Sequence, residues 1–465
     1  MSQQEEIVWL RHPEAEAYVA GRLDELMTAM PAARNLAAAV ERRTSSRLFD
    51  WLDHLVLAGG DRQRGELADL GFEREEVALP AGGPEESAYH HPGTMLPRIL
   101  LREEAAEPGT PLAVAVQVDE VAAFLMANGL SAPIEGTSLG PYRRATAWQQ
   151  NGRQVLVVER RGHAGFVPVE VPPGDVAHYL QALERWATRP RLLPEGDDRA
   201  VPRMEQTLRL AEELVGEMGV DRAAWIAMEA ERALWQRRNR AGQVQKARQD
   251  SLGLGWGNHD HHTFRSSRET FGLLIQILET LGFRPRERFY AGAQAGWGAQ
   301  VMEQPVCRLA IFADVDLSPE EVDADFAHTT LAPRETLGTV GLWCALHGES
   351  MLGAGLHHLA ARLRFDQATA DLAEWKVEMM RPFSDFSFLR QAFTRGERWD
   401  VAPERLERLV SSGRIDEDQR ARFAAEGAIG SHLENIQRAE GFKGFNQEMV
   451  SDIIRRTDPR GEIGA

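Results

Sequence analysis

A strand–helix–strands order that occurs twice in the chain limits its possible folds more than any other feature. In the first copy, a Val-rich apolar run and a helical spacing within residues 112–129 are followed by a strand-like run at 154–158. In the second copy, an extended stretch at 261–265 precedes an amphipathic helix at 270–282 and an apolar strand at 306–315. The repeat predicts an α+β fold in which two βαβββ units form a half-open barrel around one cavity. An α+β enzyme with two unrelated sheets is the alternative.

The apolar residues outside these two copies recur at spacings of three and four, which is typical of helices. A length of 465 residues is also too long for one small domain, so extensive helical additions are expected. We therefore predict five regions: a helical N-terminal region (1–80), a first βαβββ unit (87–172), a helical connection (173–250), a second βαβββ unit (253–318) and a helical C-terminal region (319–465).

The charge and cysteine content exclude several classes of protein. The formal net charge is −17, and a surface this acidic repels nucleic acid and anionic lipid. Two cysteines are too few for a disulfide framework or a thiolate zinc cluster. The N-terminus lacks a basic-then-apolar signal layout, and no apolar run is long enough to span a membrane. We therefore expect a cytoplasmic protein with small-molecule partners, and its oligomeric state stays open.

Histidines are concentrated in a few short segments. The segment 258–262 (NHDHH) holds three imidazoles and a carboxylate, and on a strand His259 and His261 would share one face. Imidazole is a good ligand for Fe, Zn, Cu and Ni, so this segment is a candidate metal site. A second pair, His90 and His91, precedes Pro-Gly and indicates a turn. The pair 357–358 lies within a helical spacing of leucines, which favours a packing role.

One carboxylate and one arginine complete the candidate site. Glu159 ends an apolar strand, where a buried acid needs a cation, hydrogen-bond donors or a metal. Two histidines and one carboxylate would form the facial triad of non-haem Fe(II) oxygenases, although an ion pair with a neighbouring arginine is equally open for Glu159. Arg265 follows His261 by four residues and so shares its face of a strand. Its guanidinium could bind a substrate carboxylate or form a salt bridge at the sheet edge.

These segments resemble a known family. Residues 260–265 (DHHTFR) are similar to the Asp-His-x-Ala-Phe-Arg signature of the 2-oxoadipate dioxygenase/decarboxylase (hydroxyglutarate synthase) family, which belongs to the vicinal-oxygen-chelate superfamily of iron enzymes. Residues 311–319 (IFADVDLSP), 134–136 (IEG) and 159–162 (ERRG) resemble three further stretches of that family. The two halves stand in the opposite chain order here, as if circularly permuted.

The resemblance implies a site and a reaction. It implies that His261 and Glu159 bind Fe(II) and that Arg265 holds a carboxylate of the substrate. The nearest equivalent of the family's second histidine is His91, ahead of a Leu-Pro-Arg segment that ends at Arg98, and His90 and His259 stay open as alternatives. Arg98 adds positive charge for an acidic substrate. The implied reaction is the oxidative decarboxylation of a metal-chelated 2-oxo acid by O2 to give a hydroxy acid.

Two other functions remain compatible with these residues. The same fold could hold another divalent metal and catalyse isomerisation, lyase chemistry or ring cleavage. A binding protein without a working metal site is the second alternative, because the strand near residues 110–113 contains no histidine.

Overall fold

The computed structural model describes residues 8–80, 86–191, 199–292, 295–446 and 458–460. Fourteen helices occur in these residues: α1 (Pro13–Ala29), α2 (Pro31–Thr44), α3 (Asp61–Asp69), α4 (Val121–Ala127), α5 (Pro173–Thr188), α6 (Val201–Met218), α7 (Val220–Arg238), α8 (Arg240–Asp250), α9 (Phe271–Thr280), α10 (Pro319–Val322), α11 (Thr339–His347), α12 (Phe365–Ala373), α13 (Pro403–Ser411) and α14 (Glu417–Glu426). None of these described helices is long and apolar enough to cross a membrane.

The first sheet consists of two βαβββ units. Its eight strands are β1 (Leu52–Ala58), β2 (Glu73–Glu75), β3 (Glu86–His90), β4 (Arg98–Arg102), β5 (Pro111–Gln117), β6 (Ile134–Glu135), β7 (Tyr142–Gln150) and β8 (Arg153–Arg160). They lie in the order β2-β3-β4-β1-β5-β8-β7-β6. In each unit the first strand pairs in parallel with the last, and the two units join where β1 pairs antiparallel with β5.

The second sheet repeats this arrangement with the second half of the chain. Its strands are β9 (His259–Arg265), β10 (Arg284–Tyr290), β11 (Trp297–Gln304), β12 (Leu309–Asp316), β13 (His358–Arg362), β14 (Ser384–Phe386), β15 (Leu389–Phe393), β16 (Glu397–Trp399) and β17 (Ala428–Arg438). They lie in the order β10-β11-β12-β9-β13-β17-β15-β14, and β16 also pairs with β17. The units again join through first strands, because β9 pairs antiparallel with β13.

The helices cover the two sheets and complete their cores. Helices α1 and α2 contribute Val19, Leu26 and Val40 to the core of the first sheet. The long helices α5 to α7 form a second core with α9 and the second sheet, in which Trp186, Trp235 and several alanines of α7 are buried. Burial of this much apolar surface is the main free energy that opposes the entropy of the unfolded chain.

The α+β class with βαβββ units in half-open barrels is confirmed, but the structure contains four such units where the sequence predicts two. The unit expected at 253–318 corresponds to β9–β12. The unit expected at 87–172 contains β5–β8 together with β3 and β4, which belong to a unit that begins at β1. Strands β1 and β2 lie in the region expected to be helical at 1–80, and β13–β17 lie in the one at 319–465.

Two-sided burial explains why β1 and β13 are not recognised in the sequence. All seven residues of β1 are buried, and four of the five residues of β13 are. A strand covered on both faces shows no alternation of polar and apolar residues. Around β13 the leucines at 356, 359 and 363 recur at spacings of three and four, which imitates a helix.

Candidate metal centre

Two histidines and a glutamate meet on one face of the second sheet. Nε2 of His261 lies 3.1 Å, and Nε2 of His358 lies 3.0 Å, from the same oxygen, Oε2 of Glu434. The possible ligand atoms lie within 4.8 Å of one another, and all three side chains are buried. Within the described part of the chain, no other group of three His, Cys, Asp or Glu residues meets this criterion. These three residues are the candidate metal centre.

The strand register brings the three side chains together. Strand β13 lies between β9 and β17, and Ala360 pairs with His261 on one side and with Glu434 on the other. His261, Ala360 and Glu434 therefore form a row across the sheet. Residues two apart on a strand point to the same face, so His358 faces the same side as this row. Each ligand comes from the first or last strand of a βαβββ unit.

A charged network orients His261 through Nδ1, the ring nitrogen that does not face Glu434. Nδ1 of His261 lies 3.0 Å from Oδ1 of Asp260, and Arg438 donates to both oxygens of that carboxylate at 3.0 and 3.1 Å. Burial opposes ionisation of Asp260, but the charge of Arg438 and the hydrogen bonds outweigh it and hold its pKa well below the usual range. An ionised carboxylate only accepts hydrogen bonds, so Nδ1 of His261 carries a proton and Nε2 is the ligand atom.

The donor set fits a divalent transition metal. Two imidazole nitrogens and one carboxylate oxygen form the facial triad that non-haem Fe(II) enzymes use, with coordination positions left for other ligands. Glu434 is itself oriented, since its Oε1 accepts a hydrogen bond of 2.8 Å from Nε2 of Gln391. Burial lowers the pKa of His261, but Glu434 and Asp260 outweigh burial and raise it to about 9. A proton on His261 therefore balances Glu434 when no metal is bound.

We expect metal binding to release about one proton per chain at pH 7.5, because His261 must lose its proton to become a ligand. Burial lowers the pKa of His358, so that residue is already neutral. Metal affinity should rise about tenfold per pH unit up to about pH 9 and then level off. Calorimetric titration with the metal in buffers of different ionisation enthalpy measures the released proton. Zero release at pH 7.5 would show that His261 is neutral in the metal-free protein.

The first sheet contains a copy of the supporting network without the metal ligands. On β1, Nδ1 of His54 lies 2.6 Å from Oδ2 of Asp53, and Arg160 of β8 donates to both oxygens of Asp53 at 2.7 and 2.8 Å. The ring of Phe166 packs edge-on against His54, as the ring of Phe445 does against His261. Strand β5, which corresponds to β13, has no histidine. The Asp–His–Arg network therefore occurs in both sheets, whereas the candidate ligand set occurs in the second sheet.

This duplication provides a matched control for the role of Asp260. We expect Asp260→Asn to weaken metal binding about 10- to 100-fold, because the neutral amide no longer raises the basicity of His261. Asp53→Asn removes the same carboxylate from the first sheet and should leave metal affinity unchanged. Competition with a chelating dye measures both affinities, and thermal unfolding reports the stability lost in each variant. Equal loss of metal affinity in both would assign the effect to general destabilisation.

A small cavity adjoins the triad and contains Arg265. It has a volume of about 60 Å³, and six Phe and Trp side chains contribute to its wall: Phe289, Trp297, Phe312, Phe383, Phe393 and Phe445. Arg265 is buried, and its Nε lies 3.8 Å from Oδ2 of Asp314. Nε and Nη1 of Arg265 make no hydrogen bond to any residue that the structure describes. Burial raises the pKa of Asp314 to about 7, although Arg265 opposes this shift. The cavity thus has unused guanidinium donors beside an acid that is half protonated at neutral pH.

Only one of the three ligands expected from the sequence lies in the triad. His261 belongs to the triad, but Glu159 lies on β8 of the first sheet. There Glu159 accepts hydrogen bonds from Arg143 at 3.1 Å, Arg161 at 2.5 Å and the backbone N of Val121 at 2.7 Å. Its charge is satisfied by these donors, which is the ion-pair alternative considered above.

His91 is not close to the triad either. It follows β3, and its ring packs edge-on against His12 with a centroid distance of 4.4 Å. His90, His91, His259 and Arg98 all line a second, separate cavity between the sheets. Nδ1 of His259 lies 3.0 Å from the backbone oxygen of Trp256. Arg98 donates to Glu75 at 2.9 Å and to the backbone oxygen of Ala164 at 2.7 Å.

His358 and Glu434 are the functional residues that the sequence analysis misses. His358 is interpreted as part of a helix, and it begins β13 instead. Glu434 stands in an 11-residue strand of which nine residues are buried. Glu159 is singled out in the sequence because it ends an apolar run, whereas Glu434 stands among polar residues in its strand and carries no such signal. Glu159 and Glu434 both lie on the last strand of the second unit of their sheets, but in different registers. The residue of β8 that corresponds to Glu434 is Leu156.

Neither a family of proteins nor a curated protein matches the sequence. Among solved structures, a variant of 4-hydroxymandelate synthase from Streptomyces coelicolor aligns over 87% of this chain and 96% of its own, with 14% identity and a TM-score of 0.26. A fusion protein of a xylose isomerase-like TIM barrel and 4-hydroxyphenylpyruvate dioxygenase aligns over 89% of this chain and 52% of its own, with 12% identity and a TM-score of 0.23.

Methylmalonyl-CoA epimerase from Mycobacterium tuberculosis aligns over 39% of this chain and 87% of its own, with 12% identity and a TM-score of 0.23. Similarity at this level carries no argument about activity. The strand order of the two sheets defines the fold class.

Proposed function

We propose that this protein is a non-haem Fe(II)-dependent dioxygenase that oxidatively decarboxylates a 2-oxo acid to a hydroxy acid. The observation that carries the proposal is the convergence of His261, His358 and Glu434 beside a small cavity that Arg265 also lines. Two histidines and one carboxylate leave coordination positions open for a chelating substrate and for O2. When bound, iron supplies the redox chemistry that couples the reduction of O2 to the loss of CO2. We also propose that this chain is a circularly permuted relative of the hydroxyglutarate synthase family.

In this proposal Arg265 binds a carboxylate of the substrate and orients it. Its Nε and Nη1 have no hydrogen-bond partner among the described residues, so both can donate to anionic oxygens of a substrate. Asp314 does not cancel this charge completely at neutral pH, because its pKa is about 7. Fixing the reacting groups in one pose lowers the entropic part of the barrier.

The aromatic wall supports this role by excluding water. Phe312 and Phe445 lie against the ring of His261, with ring centroids 5.0 and 5.1 Å away. A dry cavity strengthens the electrostatic attraction between Arg265 and an anionic substrate. A volume of about 60 Å³ admits a compact 2-oxo acid head group, so a bulky side chain requires the aromatic rings to move.

The remaining partners follow from the charge and the cysteines. The net charge of −17 argues against nucleic acid, which leaves a small 2-oxo acid and O2 as the partners. Cys307 and Cys344 are both free and buried, as expected in the reducing cytoplasm. His358 supports a metal enzyme over a purely binding protein, because it lies on β13, which corresponds to the strand β5 that has no histidine.

Metal analysis of anaerobically purified protein, followed by O2 uptake with a panel of 2-oxo acids, tests the proposal. We expect about one iron per chain, with substrate-dependent O2 consumption and CO2 release in equal amounts. Iron without uptake for any 2-oxo acid would favour isomerase, lyase or ring-cleaving chemistry at the same triad. Failure to bind any divalent metal would overturn the metal centre itself.

A further inference from the structure

A second and larger cavity lies between the two sheets. Its volume is about 330 Å³, and both sheets contribute to its lining, the first through Glu75 and Arg98, the second through His259, Arg308 and Arg362. It is separate from the cavity at the triad, and the proposed reaction does not use it. The two cavities are nevertheless connected through shared strands. Strand β9 carries both His261 and His259, and strand β13 carries both His358 and Arg362.

The cavity carries an excess of positive charge in a strongly acidic protein. Four cationic side chains line it: Arg98, Arg308, Arg362 and Lys443. Its two carboxylates are already neutralised, since Arg98 pairs with Glu75 at 2.9 Å and Lys443 pairs with Glu303 at 3.0 Å. Two positive charges remain without a carboxylate partner among the described residues, in a chain whose net charge is −17.

These two charges belong to Arg308 and Arg362. Neither forms a salt bridge with a carboxylate in the described ranges, and their contacts with backbone oxygens are long, 3.5 Å from Arg308 to Asp53 and 3.4 Å from Arg362 to His259. Nε of Arg362 is buried and lacks a hydrogen bond within the same ranges. Burial lowers the pKa of Arg308, and the nearby charge of Arg362 lowers it further, although Asp53 opposes both. Two guanidinium groups that repel each other are costly unless an anion joins them.

The backbone at Arg308 adds a second cost. Arg308 sits in the turn between β11 and β12 with φ of 55°, in the left-handed region that glycine or asparagine adopts more easily. A residue held in this region by its surroundings is often found at a ligand site. Here the strained turn carries one of the two unpaired guanidinium groups.

We propose that the cavity between the sheets binds a compact ligand with two negative charges on oxygen, held by Arg308 and Arg362. A phosphate group and a small dicarboxylate share this chemistry, and both accept paired hydrogen bonds from guanidinium groups. Nε2 of His259 lacks a hydrogen-bond partner among the residues described and provides a further polar contact. This inference does not depend on the proposed oxygenase reaction.

Calorimetric titration of the full-length protein with inorganic phosphate and with succinate tests the inference. We expect one of the two anions to bind with a Kd of about 1 mM or tighter. The anion that binds shows whether the natural ligand carries a phosphate group or two carboxylates. Arg308→Gln and Arg362→Gln should each weaken binding about tenfold or more. The control Arg420→Gln removes an equal charge from an exposed ion pair on α14 and should bind as the wild type does. Absence of binding by both anions at about 10 mM overturns the inference.

Two further measurements separate this site from the triad and from a structural role. His358→Ala should bind the anion as tightly as the wild type, and loss of binding there would place the anion at the metal centre. Without ligand, the Tm of Arg308→Gln should equal or exceed that of the wild type, because the repulsion from Arg362 is removed. With saturating ligand the Tm should rise in the wild type and not in the variant. A lower Tm of Arg308→Gln without ligand would show that this arginine supports the fold and would overturn the inference.

Discussion

His358→Ala and Glu434→Ala are each expected to purify without iron, the content falling from about one per chain to below about 0.1. Each variant removes one of three ligands, and two remaining ligands in a buried site do not hold the ion against a chelator. His261→Ala should behave in the same way. Oxygen uptake should disappear with the metal. Metal analysis of anaerobically purified and reconstituted protein is the measurement.

Three variants serve as controls for this loss. His357 is adjacent to His358, is also buried and lines the same cavity, but its Nδ1 lies 3.2 Å from the backbone oxygen of Gly430 and it is not one of the three triad residues. His357→Ala should therefore retain iron. His91→Ala and Glu159→Gln should also retain it, although the sequence alone names both residues as ligands. Loss of iron from Glu159→Gln together with its retention in Glu434→Ala would return the metal site to the first sheet.

Arg265→Met is expected to lower kcat/KM for the 2-oxo acid by about 100- to 1,000-fold while the iron content stays at the wild-type level. The variant removes the guanidinium that binds the substrate carboxylate and leaves the three ligands in place. Arg265→Lys should show a smaller loss, because the ammonium keeps the charge but not the planar pair of donors. Steady-state O2 uptake at several substrate concentrations measures the effect.

Arg268→Lys is the matched control for this prediction. Arg268 lies three residues further along the chain, where it pairs with Glu321 at 2.6 Å and does not line the cavity. Its kcat/KM should stay within about twofold of the wild-type value. If Arg265→Met lost its iron as well, the arginine would support the site and not the substrate. If kcat/KM were unchanged, another group would have to bind the carboxylate.

Much of the fold is predictable because βαβββ units leave local patterns in the sequence. The amphipathic helix α9 and the apolar strand β12 are both recognised from spacing, and so is the extended segment that becomes β9. The units that begin at β1 and β13 are not recognised, since these first strands are buried on both faces and show no alternation. The number of units was therefore underestimated, while their type was correct.

The residue types and their spacing are enough to single out His261 and Arg265, four residues apart on a predicted strand. The second histidine and the carboxylate that lie beside His261 are apparent only in the folded chain. Glu434 is 173 residues away from His261 in the chain. No local spacing connects them, and Glu434 stands among polar residues, whereas Glu159 ends an apolar run. The pairing of β13 between β9 and β17 makes the choice, because strand register sets which distant side chains share one face of a sheet.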